Sequence, residues 1–385
     1  MQMKNIDLKT LFEICKERVL FGRYVHTDLI EPLLKKLSPE FKIDVIGQSV
    51  NAEKIYTVTI GSGPKKVLMW SQMHGNESTT TKALFDLFNL LKGSNGVVGT
   101  ILKECTLKII PILNPDGAKT YTRFNANNED LNRDAQDLTQ PESRVLRDCF
   151  NGFKPHYCFN LHGQRTIFSA GKEDKSATVS FLSPAQDENC TITENRKVAM
   201  SIIVKINEML QKEIPCQVGV YDDAFNINCV GDTFQSLSVP TVLFEAGHYN
   251  KDYSREEVRR FVFQAYVVAL ISIAEDYIDV KDHQSYLKIP KNEKLFFDIV
   301  IRDAKIGNEI LDVAIQYEER LMVDKVQFVP VVKKIGELNS FYAHNTIRAK
   351  GSEVISGERE VLKVGYENDF VFVNNVKLSL KIDNN

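Results

Sequence analysis

Four stretches of this sequence place metal-ligating, acidic or cationic side chains directly beyond apolar runs. His74 and Glu77 stand in Met73-His74-Gly75-Asn76-Glu77, just after the run at 66–70. Imidazole nitrogen and carboxylate oxygen suit Zn²⁺, and three residues of separation on a turn entering a helix let both reach one ion. His162 closes the run at 157–161 and offers a third ligand. Two histidines, one glutamate and one open position for water form a catalytic zinc arrangement. Glu245 follows the four apolar-run residues 241–244. A carboxylate is costly to bury there without a purpose; beside a metal-bound water it takes the proton and later delivers it to a leaving nitrogen. The fourth stretch runs from Arg123 to Asp134, with arginines at both 123 and 133 among loop-forming Asn and Asp. Arg133 can grip a carboxylate bidentately with the Asn132 amide beside it, and Arg123 can face an oxygen that gains charge in a transition state.

Each group also has a bland reading. Glu77 can simply favour a helix N-terminus, His162 can be a satisfied core histidine, Glu245 a structural ion pair, and the arginines solvated loop charges. The shared address decides against these readings, because open α/β sheets gather ligands beyond the carboxyl ends of their strands. His156 precedes its strand, at the opposite end, and is not a ligand candidate.

The elements that must hold these groups follow from periodicity. Residues 6–37 read as helices, with Leu8, Leu11, Phe12 and Cys15, then Leu29, Leu33, Leu34 and Leu37, at helical spacing. Residues 54–60 alternate as a strand before the Gly61-Ser62-Gly63-Pro64 turn. Buried strands are expected at 66–70, 107–113, 157–161 and 241–244, and helices from the first polar loop to Leu91, at 141–151, 194–212 and 254–275. Asn114-Pro115-Asp116-Gly117 reads as a turn. Alternating strands and helices predict an α/β domain with a mostly parallel sheet covered by helices. Beyond residues 288–290 helical periodicity stops, and short strands are expected at 295–301, 311–317, 325–332 and 370–382. The expected division is a domain at 1–285, its first 40 residues helical, and a small β-rich domain at 286–385.

Composition narrows the function. The 385 residues carry 48 Lys plus Arg against 51 Asp plus Glu, a net charge of −3. That balance gives no electrostatic reason to expect nucleic acid or an anionic membrane as partner. No apolar run approaches a membrane span of about 18–20 residues, and the N-terminus reads as helical rather than as a signal core, so a cytoplasmic protein is expected. The seven cysteines include no C-x-x-C pair, which argues against a disulfide framework or a Cys-rich structural zinc site.

Taken together, His74-Gly75-Asn76-Glu77, Asn114-Pro115-Asp116-Gly117, the Arg123-x-Asn125-Ala126-Asn127-x-x-Asp130-Leu131-Asn132-Arg133 run, and the strand-end His162 and Glu245 resemble the zinc carboxypeptidase family. The resemblance covers roughly residues 40–276. It implies a mixed, mostly parallel sheet flanked by helices, with one zinc ion per chain at the strand ends. It implies that His74, Glu77 and His162 bind zinc, that Glu245 is the general base for a zinc-bound water, and that Arg123 stabilises the oxyanion. Asn132 and Arg133 would hold the terminal carboxylate of a peptide, whose last peptide bond is hydrolysed. Tyr221 lies at about the place of the family's mobile substrate-covering tyrosine. Asp232 would either line the side-chain pocket, favouring a basic group, or cap a helix.

A second resemblance competes. Succinylglutamate desuccinylase and aspartoacylase have similar zinc and Asp-Leu-Asn-Arg motifs and a C-terminal β domain, and they imply hydrolysis of small N-acyl amino acids. A binding module without catalysis would be expected to lose a ligand or the base, and all four residues are present.

Overall fold

The computed structural model describes residues 7–93 and 96–382; the part of the helical expectation that falls on residue 6, and the first six residues of the expected first domain, lie outside them. The chain forms two compact units, one made of residues up to 164 together with 177–292, the other of residues 165–176 together with the chain from 293 onward.

The larger unit is built on an eight-stranded sheet. Its strands are β1 (Lys42–Gln48), β2 (Lys54–Ile60), β3 (Lys65–Ser71), β4 (Cys105–Ile110), β5 (Tyr157–Gly163), β6 (Val179–Leu182), β7 (Val218–Val220) and β8 (Thr241–Ala246). Their order in space is β1-β2-β4-β3-β5-β8-β6-β7. The centre is parallel, with β3 beside β4 and β5, and β5 beside β8. The flanks bring antiparallel pairs, β1 with β2, β2 with β4 and β6 with β8. The sheet is therefore mixed with a parallel core, as expected. The parallel strands are continuous Val, Ile, Leu and Phe runs because helices bury both of their faces.

Those helices are α1 (Leu8–Cys15), α2 (Thr27–Leu34), α3 (Thr79–Leu91), α4 (Gly96–Glu104), α5 (Pro115–Thr120), α6 (Pro141–Phe153), α7 (Glu194–Leu210), α8 (Val230–Ser236) and α9 (Glu256–Ala274). Almost every side chain of α9 is buried, so beyond its first turns its sequence is apolar rather than amphipathic. It shares one core with α3, α7 and the inner sheet residues Phe159, Leu161, Val242 and Phe244. The other sheet face, with Leu68, Trp70 and Cys158, packs on Leu146, Phe150, Val230 and Phe234 from α6 and α8.

The N-terminal coil is fixed by a buried ion pair. Arg259 of α9 grips Asp86 of α3 through two hydrogen bonds of 2.7 and 2.6 Å and donates to the carbonyls of Leu20 and Glu17, while Asp86 accepts from Glu17 N–H. Both side chains are wholly buried.

Several expectations change. The helical reading of 6–37 resolves into α1 and α2 with an irregular segment between. Asn114-Pro115-Asp116-Gly117 is not a free turn but the start of α5, with Asn114 Oδ1 accepting from Gly117 N–H at 2.8 Å and Pro115 in the first turn, where proline's missing donor costs nothing. β1 escapes the pattern because a register shift between Val45 and Gly47 breaks its alternation.

In the second unit, β9 (Phe296–Ile306), β10 (Glu309–Met322), β11 (Lys325–Gly336) and β12 (Tyr342–Arg348) form a sheet in the order β11-β10-β9-β12. The expected single strand at 370–382 is a hairpin, β14 (Phe370–Val373) and β15 (Val376–Ser379), extended by β13 (Val354–Ile355). Asn374 and Asn375 turn it, both with positive φ, 48° and 62°, the left-handed region that asparagine tolerates in tight hairpins.

Asp86→Leu would strand the Arg259 guanidinium without its carboxylate. A loss of about 3–5 kcal/mol is expected, read as a lower urea midpoint with the denaturant slope unchanged.

Candidate active site

β5 and β8 end at one level, β3 stops two residues short of it, and the site is built there. Past Ser71 the chain turns through 72–78 into α3. The Ser71 hydroxyl is 2.8 Å from both the Thr80 and Thr81 hydroxyls, which fixes the first turn of that helix. Glu77 N–H donates to His74 C=O at 3.1 Å, and this tight turn puts both side chains on one side. The turn lies flat on α5: a Cβ added at Gly75 would stand 1.9 Å from the Gly117 carbonyl carbon and 2.2 Å from Ala118 N. Only a residue without a side chain allows that backbone approach. Asn114 completes the junction by donating from Nδ2 to Met73 C=O. His74-Gly75-Asn76-Glu77 and Asn114-Pro115-Asp116-Gly117 are thus two halves of one packed corner.

The ligand atoms converge on this corner. His74 Nδ1 lies 2.9 Å from Glu77 Oε1, His162 Nδ1 lies 3.0 Å from Glu77 Oε2, and the two Nδ1 atoms are 3.1 Å apart. His74, Glu77 and His162 form the one such group of potential ligands among the described residues. Imidazole N–H groups can bridge these atoms as hydrogen bonds, and with both Nδ1 atoms unprotonated the three lone pairs converge on a point that a cation can occupy. The donor set fits zinc: Zn–N and Zn–O bonds of 2.0–2.2 Å on a tetrahedron set donors about 3.3 Å apart. Both histidines are nearly inaccessible. Burial raises the Glu77 carboxyl, but the two imidazoles more than offset it and hold the group far below the carboxylate range. For His74, burial opposes the charged ring and is outweighed by Glu77 and Asp130, so its pKa is raised; for His162 burial prevails and lowers it.

Glu245 pairs in register with His162 across β5 and β8, and paired residues share a sheet face. Its Oε2 is buried and without a partner in the protein. Burial pushes its carboxyl well above the ordinary value, the Glu77 charge adds to this, and Arg123 and Arg255 oppose it.

Arg123 reaches the same point. Its Nε and Nη2 donate to Asp130 Oδ2 at 3.0 Å each, and Nη1 lies 3.3 Å from His74 Nδ1. Asp130 is the residue that sequence reasoning passed over: it stood inside the quoted run and received no role. Its Oδ1 meets His74 Nε2 at 3.1 Å and accepts from Asn132 N–H, so one carboxylate sets the His74 ring, the Arg123 fork and the turn carrying Asn132 and Arg133. Its signal was there, a carboxylate seven residues after an arginine, but nothing in the spacing told which histidine it would meet.

Asn132 and Arg133 sit on a single 3₁₀ turn, residues 131–133. Asn132 Oδ1 accepts from Val230 N–H at 3.0 Å, tying the turn to α8. Arg133 is exposed, with Nη1 on the Asn132 carbonyl and 3.1 Å from Cys229 Sγ. Tyr221 donates to Gln164 Oε1 at 2.6 Å, two residues beyond His162. Asp232 does not cap α8, since Cys229 holds the cap position; its carboxyl accepts backbone N–H groups, among them those of Asn226 and Ala185, and burial raises it to about 6.

Residues 28–213, a little under half of the chain, match the zinc carboxypeptidase family. Carboxypeptidase 2 of Trichophyton rubrum is 29% identical over 110 residues, 28% of this chain and 20% of that protein. Gamma-D-glutamyl-L-diamino acid endopeptidase 1 of Lysinibacillus sphaericus is 32% identical over 169 residues, 40% of this chain and 42% of that protein. The chain thus spans about a fifth of the carboxypeptidase 2 proteins it matches. Among solved structures, a metallo-carboxypeptidase from Burkholderia cenocepacia superposes with a TM-score of 0.52 at 17% identity, covering 66% of this chain and 70% of that one. No helix among the described residues is long and apolar enough to cross a membrane.

Asp130→Ala is expected to weaken zinc binding by about 10–100-fold, the usual effect of freeing a ligand histidine from its carboxylate. Competition against a chromophoric chelator, with far-UV circular dichroism unchanged, checks it. Residues 28–213 are thus similar to the zinc carboxypeptidases, and the fold is similar to that of a solved metallo-carboxypeptidase.

Proposed function

We propose that this chain is a zinc-dependent carboxypeptidase that removes the C-terminal residue of a peptide. The observation that carries the reading is the row formed by His162 and Glu245: a candidate ligand and a carboxylate whose buried Oε2 has no protein partner, side by side on one sheet face, with Glu77 and His74 closing on the ligand. A zinc ion held by His74, Glu77 and His162 supplies Lewis acidity, polarising a carbonyl and making water acidic near neutral pH.

The other roles belong to the chain. Glu245 accepts a proton from the attacking water and hands it to the leaving amine. Its surroundings suit both steps, because burial and the Glu77 charge make it a stronger base than an ordinary carboxylate. Arg123 presents a guanidinium held by Asp130 and about 40% exposed at the mouth, where it stabilises the oxygen that gains charge. Arg133 and the Asn132 amide nitrogen hold the substrate's terminal carboxylate, and this clamp selects C-terminal over internal bonds. Tyr221 covers the substrate, held ready by Gln164. In this reading residues 1–285 are the catalytic domain and 286–385 a separate β-rich one.

Two measurements test the proposal. Zinc-loaded protein is given a pool of N-blocked peptides and small N-acyl amino acids, and products are weighed by mass spectrometry. Shortening of the peptides by one C-terminal residue is expected. Release of succinate or acetate with the peptides untouched would move the chain to the N-acyl amino acid hydrolases. Glu245→Gln should keep a full complement of zinc and lose activity by at least about 100-fold, because an amide cannot take the proton; unimpaired turnover would remove Glu245 from the mechanism.

A further inference from the structure

One buried cation ties together the two strand ends that carry His162 and Glu245. Past that pair, β5 and β8 run one residue further in register, to Gly163 and Ala246. Arg255 lies there, 1% exposed. Its Nη1 donates to the Ala246 carbonyl at 2.8 Å and its Nη2 to the Gln164 carbonyl at 3.0 Å. Gln164 N–H also donates to Ala246 C=O, at 3.0 Å. One planar fork thus spans both strands where their pairing stops, with one nitrogen on each. A strand-end carbonyl needs a donor, and for that alone a water molecule would serve. The fork adds a fixed separation, because the guanidinium donors lie rigidly in one plane.

Nothing local asks for an arginine at this position. Arg255 stands at the N-cap of α9, and its side chain makes no capping bond. Asp252 caps the helix instead: its Oδ1 accepts from Glu256 N–H at 2.8 Å, and its Oδ2 from Glu257 and Val258 N–H at 2.9 and 3.0 Å. The Arg255 backbone is left-handed, with φ 60° and ψ 33°, a conformation that glycine and asparagine adopt more readily. Taking a cation out of water is unfavourable as well. A residue that runs against three preferences is explained by what its side chain reaches. Here that is the backbone one residue past Glu245 and two past His162. Gln164 is itself held at its side chain, donating from Nε2 to Ala177 C=O at 2.7 Å and accepting the Tyr221 hydroxyl.

We infer that Arg255 is a positioning residue for hydrolysis: by holding the Ala246 and Gln164 carbonyls with one guanidinium, it sets the separation of the β5 and β8 ends and hence the distance from the ligand His162 to the base Glu245. The inference rests on the carboxypeptidase reading. Glu245 takes a proton from the attacking water only over hydrogen-bond distance, and a misplacement of about 1 Å at a reacting group lowers the rate by on the order of 100-fold. The candidate ligands do not share this dependence. His74 and Glu77 come from the loop after β3 and His162 from β5, whereas Glu245 alone of the four stands on β8. Loosening the fork therefore shifts the base against the ligands and spares the ligands themselves, so the chemical step suffers more than zinc binding or substrate affinity.

The test uses zinc-loaded full-length protein and an N-blocked peptide with a free C-terminus. Two variants are compared: Arg255→Met, which keeps the length and no donor, and Arg255→Lys, which keeps the charge without the fork. Both should fold by far-UV circular dichroism and hold zinc within about threefold of the wild-type affinity, read by competition against a chromophoric chelator. At saturating zinc, kcat should fall about thirtyfold or more in Arg255→Met and about fivefold or more in Arg255→Lys, with KM within about threefold in both. Without substrate, amide hydrogen exchange in Arg255→Met should be about tenfold faster in the segments around Gln164 and Gly247 and unchanged in α3. A kcat within about twofold of wild type in either folded variant, a loss of zinc affinity that matches the loss of kcat, or unchanged exchange at the strand ends would each overturn the assignment. If Arg255→Met does not fold, Arg255→Lys decides by the same limits; if neither folds, the residue serves the fold and the assignment fails. Wild type that cleaves no peptide removes the carboxypeptidase reading and the inference with it, whereas a cleaving wild type with variants outside these limits removes the inference alone.

Discussion

Everything at the site depends on the Glu77 carboxylate standing between two imidazoles. One oxygen lies 2.9 Å from His74 Nδ1; the other lies 3.0 Å from His162 Nδ1 and accepts from Gly163 N–H at 2.9 Å. A single side chain thereby joins the loop after β3 to the end of β5. A cation at the centre would demand this convergence, with the two Nδ1 atoms 3.1 Å apart. The remainder of the corner serves that demand. Gly75 lets the loop sink onto α5, Asn114 pins it, and Asp130 fixes the far edge of the His74 ring. None of these residues needs to touch a substrate, yet each sets where a ligand atom lies, and ligand geometry tolerates little error.

The strand ends were readable in advance because the parallel core buries both faces. β3, β5 and β8 therefore appear as largely apolar runs, and the polar residues that stop them stand out: His74 and Glu77 just beyond the first, His162 and Glu245 at the ends of the others. What the sequence could not convey was lateral order. Nothing in the linear pattern places β8 beside β5, so the pairing of His162 with Glu245 is a product of topology alone. The same limit hid Asp130, whose partner lies 56 residues away. It also hid Asn160, which reads as one polar residue inside a strand until Trp70 is seen beside it. Misread elements have local causes: a bulge in β1, an asparagine pair turning β14 into β15, and a proline and a cap converting an apparent turn into α5.

Two buried polar clusters in the same unit show how a site differs from a well-built core. Around Asp86 and Arg259 the charges pair bidentately, and the guanidinium and carboxylate also reach backbone groups of Leu20 and Glu17. That cluster is closed, and its residues sit where α3, α9 and the N-terminal coil must be held together. A buried ion pair of this kind adds little net stability over apolar packing, but losing one partner is costly, so it specifies which coil packs there.

At the strand ends the account does not close. Glu245 Oε2, His162 Nε2, the Asn160 amide and Trp70 Nε1 are all buried and without protein partners. They occupy neighbouring positions in two adjacent rows of one sheet face. Folding alone gives no return for leaving them so, and hydrophobic residues at these places would stabilise the chain. Such groups persist where stability is traded for chemistry. The upper row holds the charge-bearing groups and the lower row holds neutral ones. An ionised group can stay buried where a counter-charge meets it, as Arg259 meets Asp86, and the lower row holds no charged side chain.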